Sequence, residues 1–394
     1  MKKITIFTLA GLLAIGAGCL AAVPAGAQEG KPITQAVVTP ATNTVQVSSA
    51  LGLNLVMGEA NDGYFMVYDR LGKNAFIFNT KGQLTGKFKM DLDLKEAPVF
   101  DNGVASVRLP DRSVAIIDTE GNVVKNLGQA GIYSDVVDGL VVTGPVTYFN
   151  ADDACTFYDA KGREIRKVRS YYFQKPRPLC DGLRRFEKQQ GWDKTNYGFE
   201  DASGRQVIEP KFRDAADFSE GLAAVAIVDG YQTKWGFIDT KGNYVIEPRF
   251  SIAPGSFHDG LALVTKKNGR KAFIDRTGTV VSDDFIFAGD FHGGYAAVLS
   301  SMFEDNFTII DTKFKPVAVT PYRIPGSFVR RGDYFYHSEV TAAYVFALDG
   351  TRLLELPGKL NHFHDGVAAY TCNGETGYIN TAGEWIVKFV TDEF

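Results

Sequence analysis

The chain has 394 residues, of which 45% are hydrophobic and 12% aromatic, and its formal net charge is −4. That composition supplies apolar material for a large core. The acidic balance carries no basic stripe of the kind that nucleic acid or an anionic membrane surface calls for.

Residues 1–27 read as an export signal. Lys2 and Lys3 precede an apolar run from Ile4 to Ala22, and Ala25-Gly26-Ala27 forms a small-residue cleavage site before Gln28. Lipid attachment at Cys19 is the rival processing route. Gly16-Ala17-Gly18 lacks the aliphatic residue that route wants three positions before the cysteine. No later segment is long and apolar enough to span a membrane as a helix. The chain is therefore expected to be exported, to the periplasm or beyond the cell. Residues 28–50 read as a linker, or as a strand that pairs with the last repeat and closes the array.

From residue 51 to 394 the chain is periodic. The turn glycine of an Asp-x-x-Gly-type element, relaxed in some copies, falls at 82, 121, 162, 204, 242, 278, 350 and 383, and Phe314 fills one slot. The mean spacing is about 38 residues, within the range of repeat architectures. A second glycine keeps the same beat, from Gly63 to Gly366. Each unit reads as strand, connection, strand, tight turn, strand. The best copy runs 221–228, 234–239 and 243–246. In its turn Asp239 accepts from the amides that follow, and Gly242 supplies the positive φ. Pro210 and Pro248 end third strands by removing a ladder donor. Leu222, Ala224 and Ala226 alternate with Ala223, Val225 and Ile227, so these strands are apolar on both faces, as small sheets stacked between neighbours require. No helical apolar period is visible. The expected fold is all-β: about nine three-stranded antiparallel units, β-propeller-like, with an open β superhelix as the alternative.

Trp235-Gly-Phe-Ile-Asp239, followed by Phe257-His-Asp-Gly-Leu-Ala262, resembles the bacterial WG-repeat family. The match is specific at 197–278 and relaxed elsewhere, as at Tyr197-Gly198 and Gly377-Tyr378. The resemblance implies a binding scaffold and brings no catalytic motif.

No nucleophile elbow, phosphate-cradling loop or zinc-type spacing occurs, so no catalytic residue, metal or cofactor is assigned. His258, His292 and His364 share one register on separate units, which argues against a common ion. Asp118, Asp159, Asp201, Asp239 and Asp275 read as turn caps rather than calcium ligands. Cys155 and Cys180 either join in a disulfide or are small buried side chains. The three longest connections are consecutive, within 139–162, 182–204 and 221–242. Insertions on one face of a repeat array often form its binding face. These carry the candidate binding residues Tyr148, Phe149, Asp152, Asp153, Trp192, Asp193 and Tyr231. The reading is an exported, non-enzymatic scaffold for a protein or glycan of the cell envelope. The alternative is an envelope polysaccharide hydrolase or lyase using Asp152, Asp153 and Asp193.

Overall fold

The computed structural model describes residues 44–47, 54–91, 97–128, 134–144, 154–169, 177–189, 195–304, 306–320, 328–339 and 341–391. All their regular structure is β-strand. The strands form nine small sheets, here called blades, in chain order: blade 1 (55–89), blade 2 (104–128), blade 3 (134–169), blade 4 (183–212), blade 5 (214–250), blade 6 (262–274), blade 7 (287–319), blade 8 (328–357) and blade 9 (359–391). Apart from one added strand in blade 9, each is an antiparallel meander whose spatial order follows the chain.

The two-sided apolar pattern does what the period of two requires. In the strand Tyr64–Asp69, Met66 and Tyr68 pack toward blade 2, against Phe100, Val107 and Ile117. Phe65 and Val67 point the other way and pack on Tyr378, Val387 and Phe389 of blade 9. One strand thus serves two cores. The same sharing joins blades 4 and 5, 5 and 6, 6 and 7, 7 and 8, and 8 and 9.

Contact between the first blade and the last closes the array into a β-propeller ring. The rings of Phe65 and Tyr378 lie 4.0 Å apart between centroids, and Tyr378 Oη donates to the Gly58 carbonyl at 2.6 Å. The open superhelix is thereby ruled out. At the edge of blade 9, Thr44–Val47 pairs in parallel with Lys388–Thr391.

The expected about nine three-stranded units are close to this arrangement but differ from it in strand number. Blades carry two to five strands. The usual extra is a short first strand, such as Asp214–Ala215, Phe287–Ala288 or Lys359–Leu360. A two-residue strand has no periodicity of its own to read. Blade 6 has only Ala262–Thr265 and Lys271–Ile274, with isolated bridges Lys271↔Phe285 and Ile274↔Val280 beside them.

The name-giving Gly236 has a packing reason. A Cβ there would stand 2.5 Å from the Ile246 carbonyl oxygen and 2.7 Å from the Pro248 nitrogen. The final strand of the blade shifts register at this point, between Trp235 and Phe237, and its backbone crosses directly over the glycine. Gly198 and Gly377 are crowded by their own last strands in the same way.

Candidate functional site

A meander puts alternate connections at opposite ends of its strands. Two kinds of turn therefore share one face of the ring. These are the glycine turn before the second strand and the Asx turn between the third and last strands. The connection between second and third strands emerges on the other face.

On the turn face, the glycine turns have positive φ at both central residues, as in Asp62-Gly63, Asp181-Gly182, Glu220-Gly221, Asp259-Gly260 and Asp365-Gly366. This is the backbone of a type I′ hairpin. The acidic residue does a second job. Its carboxylate accepts the glycine N–H of the next blade's turn. Asp365 accepts from Gly63 (2.8 Å), Asp62 from Gly103 (2.6 Å), Asp181 from Gly221 (2.6 Å), Glu220 from Gly260 (2.9 Å) and Asp259 from Gly294 (2.9 Å). These carboxylate latches link neighbouring blades in sequence, and the first of them joins blade 9 to blade 1.

In the Asx turns, Oδ1 of Asp118, Asp159, Asp201, Asp239 and Asp275 accepts the amides two and four residues on. Bonds from the Ser203 and Arg205 side chains hold the Asp201 carboxyl down at about 2. Backbone and side-chain bonds from Asn243 lower Asp239. A carboxylate so engaged is a structural acceptor.

The histidines are closer than their separation in sequence suggests. The rings of His258 and His292 meet edge to face with centroids 6.1 Å apart. His292 Nε2 lies 3.1 Å from Asp333 Oδ1, and His364 Nε2 lies 3.6 Å from Glu59 Oε2. Separate units do not keep such residues apart, because equivalent slots of adjacent blades adjoin around the ring. Among the described residues, no group of three His, Cys, Asp or Glu side chains is arranged to hold a metal ion. Beside the histidines, Asp290 Oδ1 is buried without a hydrogen-bond partner. Burial pushes this carboxyl up, against the pull of His258, Arg330 and Lys271. No disulfide joins Cys155 to Cys180; Cys155 is buried in blade 3 and Cys180 half-buried in a glycine turn.

One candidate binding residue, Tyr231, falls on the connection face. Tyr148, Phe149, Asp152, Asp153, Trp192 and Asp193 lie outside the described residues. Tyr231 is described: it is fully exposed at the tip of the tight hairpin joining Leu222–Asp229 to Gln232–Asp239.

Two blades further on is a feature that loop length did not pick out. Met302 and Phe303 are 77% and 95% exposed. The loop that carries them is ordered by its own bonds. Ser300 N donates to Glu304 Oε2 (2.9 Å), Phe303 N to Ser301 Oγ (3.2 Å) and Glu304 N to the Ser301 carbonyl (3.2 Å). Arg270, from the neighbouring connection of blade 6, donates to the Ser300 carbonyl at 3.0 Å. Lys267 is exposed in that same connection. The readable signal was an adjacent large apolar pair inside a polar segment, Ser300-Ser-Met-Phe-Glu304.

A cavity of about 380 Å³ opens between blades 8 and 9. It is lined by Tyr334, Val345, Leu353, Leu354, Phe363, Thr381 and Ala382. Thr381 and Ala382 belong to an Asx turn, so the opening is on the turn face.

The family model described as "WG containing repeat" matches residues 197–230 and 235–269. The chain carries WG repeats. No curated protein matches it. Among solved structures it is similar to a eukaryotic initiation factor, with 11% identity over 79% of this chain and 90% of that one, at a TM-score of 0.50. It is also similar to BamB from Moraxella catarrhalis, with 13% identity over 81% and 99% of the two chains and a TM-score of 0.41. At 11% identity the first likeness shows the fold alone, and function lives in the sites grafted onto a fold. No helix among the described residues is long and apolar enough to cross a membrane.

Proposed function

We propose that this WG-repeat ring is an exported, non-enzymatic scaffold that docks a protein or glycan of the cell envelope on its connection face. The observation that carries the reading is the pair of ordered apolar tips, Tyr231 on blade 5 and Met302-Phe303 on blade 7, held in water on short, hydrogen-bonded loops. Large apolar side chains so exposed are a signature of interaction sites. Aromatic anchors on a preordered loop give up little conformational entropy on docking. The latches and shared cores hold the loops on a rigid frame. Exported localisation rests on the reading of residues 1–27. The test is recovery of partners from an envelope fraction by the wild-type chain, Tyr231→Ala and Phe303→Ala. Loss of the same partner with either variant is expected. Equal recovery by all three proteins refutes the proposal.

A further inference from the structure

The cavity between blades 8 and 9 has a counterpart slot at other blade junctions, filled there by the residue four positions after the turn glycine. Arg166 of blade 3 reaches across to Glu200 and to the Gly204 carbonyl (3.5 Å) of blade 4. In the same slot Ile208 of blade 4 lies beside Gly242 of the next turn, and Ile246 of blade 5 beside Gly278. In blade 8 the register Val345↔Leu354 matches Phe157↔Arg166 of blade 3, so Leu354 stands where Arg166 does. At the junction of blades 8 and 9 an apolar recess of about 380 Å³ opens beside Leu354. That is toward the small end of ligand pockets, roughly 300–1,000 Å³. It is room for two large side chains.

The prong and the recess are on opposite faces of one ring. Met302 and Phe303 leave the connection face, and the recess opens on the turn face. Their surroundings differ in charge. Glu384 is exposed beside the recess, and Asp349 and Asp365 lie in the adjoining turns. The prong is flanked by Lys267 and Arg270, with Glu304 folded back onto Ser300. Lys266 in the same connection is paired with Asp284.

We propose that copies of this chain associate head to tail, with the Met302-Phe303 prong of one ring seated in the blade 8–9 recess of the next. The inference rests on reading the connection face as a docking face and names its partner as a second copy. A contact between two different patches is heterologous, so it extends into a stack unless rotation closes it. Lys267 and Arg270 approach the acidic turns of the neighbour, and screening by salt weakens the contact.

The experiment is sedimentation velocity on the full chain from micromolar to near-millimolar concentration, at low and high salt. Phe303→Asp and Ala382→Trp are run alone and mixed, and circular dichroism confirms that both fold. The wild type is expected to form concentration-dependent species larger than a dimer, shrinking at high salt. Phe303→Asp keeps an intact recess and Ala382→Trp an intact prong. Each alone is expected to be monomeric, and their mixture to form a dimer and nothing larger. A monomeric wild type throughout overturns the inference. So does association that survives either variant, or a mixture that stays monomeric. If the wild type is monomeric while Phe303→Ala still loses an envelope partner, the docking-face reading stands and the self-association fails.

Discussion

The sharpest test of the repeat's internal logic is Gly236→Ala. The new methyl carbon would meet three backbone atoms: Ile246 O at 2.5 Å, Pro248 N at 2.7 Å and Glu247 C at 2.9 Å. None belongs to a flexible side chain that can swing away, so the last strand of blade 5 has to move. That strand contributes Ile246 to the core shared with blade 6. Overpacking of this kind costs about 1–3 kcal/mol. Gly289→Ala is the matched control, because its new Cβ would meet only Ala297 O, at 3.9 Å. There the loss of unfolded-state freedom stabilises by about 0.4–1 kcal/mol. The assay is equilibrium urea unfolding of both variants followed by circular dichroism. Gly236→Ala is expected to lower the midpoint and Gly289→Ala to leave it unchanged or raise it. A Gly236→Ala protein as stable as the control would refute the steric account of the dipeptide.

Asp259→Gly keeps a residue suited to φ +53° but removes the latch to Gly294; the expected loss is about 1 kcal/mol, read as faster hydrogen exchange at the Gly294 amide. Asp290→Asn is expected to stabilise the protein near neutral pH by about 1 kcal/mol, since Oδ1 is buried without a partner. The sign follows from linkage: the folded carboxyl titrates above its unfolded value of 3.8, so the native state binds the proton more tightly and wild-type stability falls as pH rises through that window. Thermal melts against pH should show the advantage of Asn shrinking below about pH 4. Asp201 has the opposite sign. Its folded pKa of about 2 lies below 3.8, so its contribution is complete above that value and is lost as pH falls toward 2. Asp201→Asn keeps the turn acceptor, as Asn79 and Asn380 do in their units, and acid melts should show a shallower decline over that interval.

Much of the unit was legible because its signals are local. An Asx turn needs an acceptor side chain and a residue able to take positive φ within five positions, so Asp239-x-x-Gly242 announces itself wherever it occurs. Phe314, at φ 60°, shows how strictly the turn is kept even where glycine is missing. Two-sided apolar strands likewise declare that sheets lie on both sides. The candidate site was less legible. Tyr231 was found because the span from Gly221 to Gly242 is long, although its extra residues lengthen the strands and leave a tight hairpin, whereas Phe303 sits within a span of ordinary length. Its exposure depends on the Ser301, Glu304 and Arg270 bonds that hold it away from the body of the ring. The latch carboxylates carry no local signal, because their acceptor role is directed at a neighbouring blade.

What the amino-acid order determined alone was the repeating module: its turns, its strand count to within one outside blade 9, and its need for neighbours. Closure was decided in three dimensions. Phe65 meets Tyr378 and Asp365 meets Gly63 across almost the whole chain, and such contacts depend on the small rotation accumulated from blade to blade. The recess beside Leu354 was decided there too, because its walls come from two blades, Tyr334, Val345 and Leu354 on one side and Thr381 and Ala382 on the other.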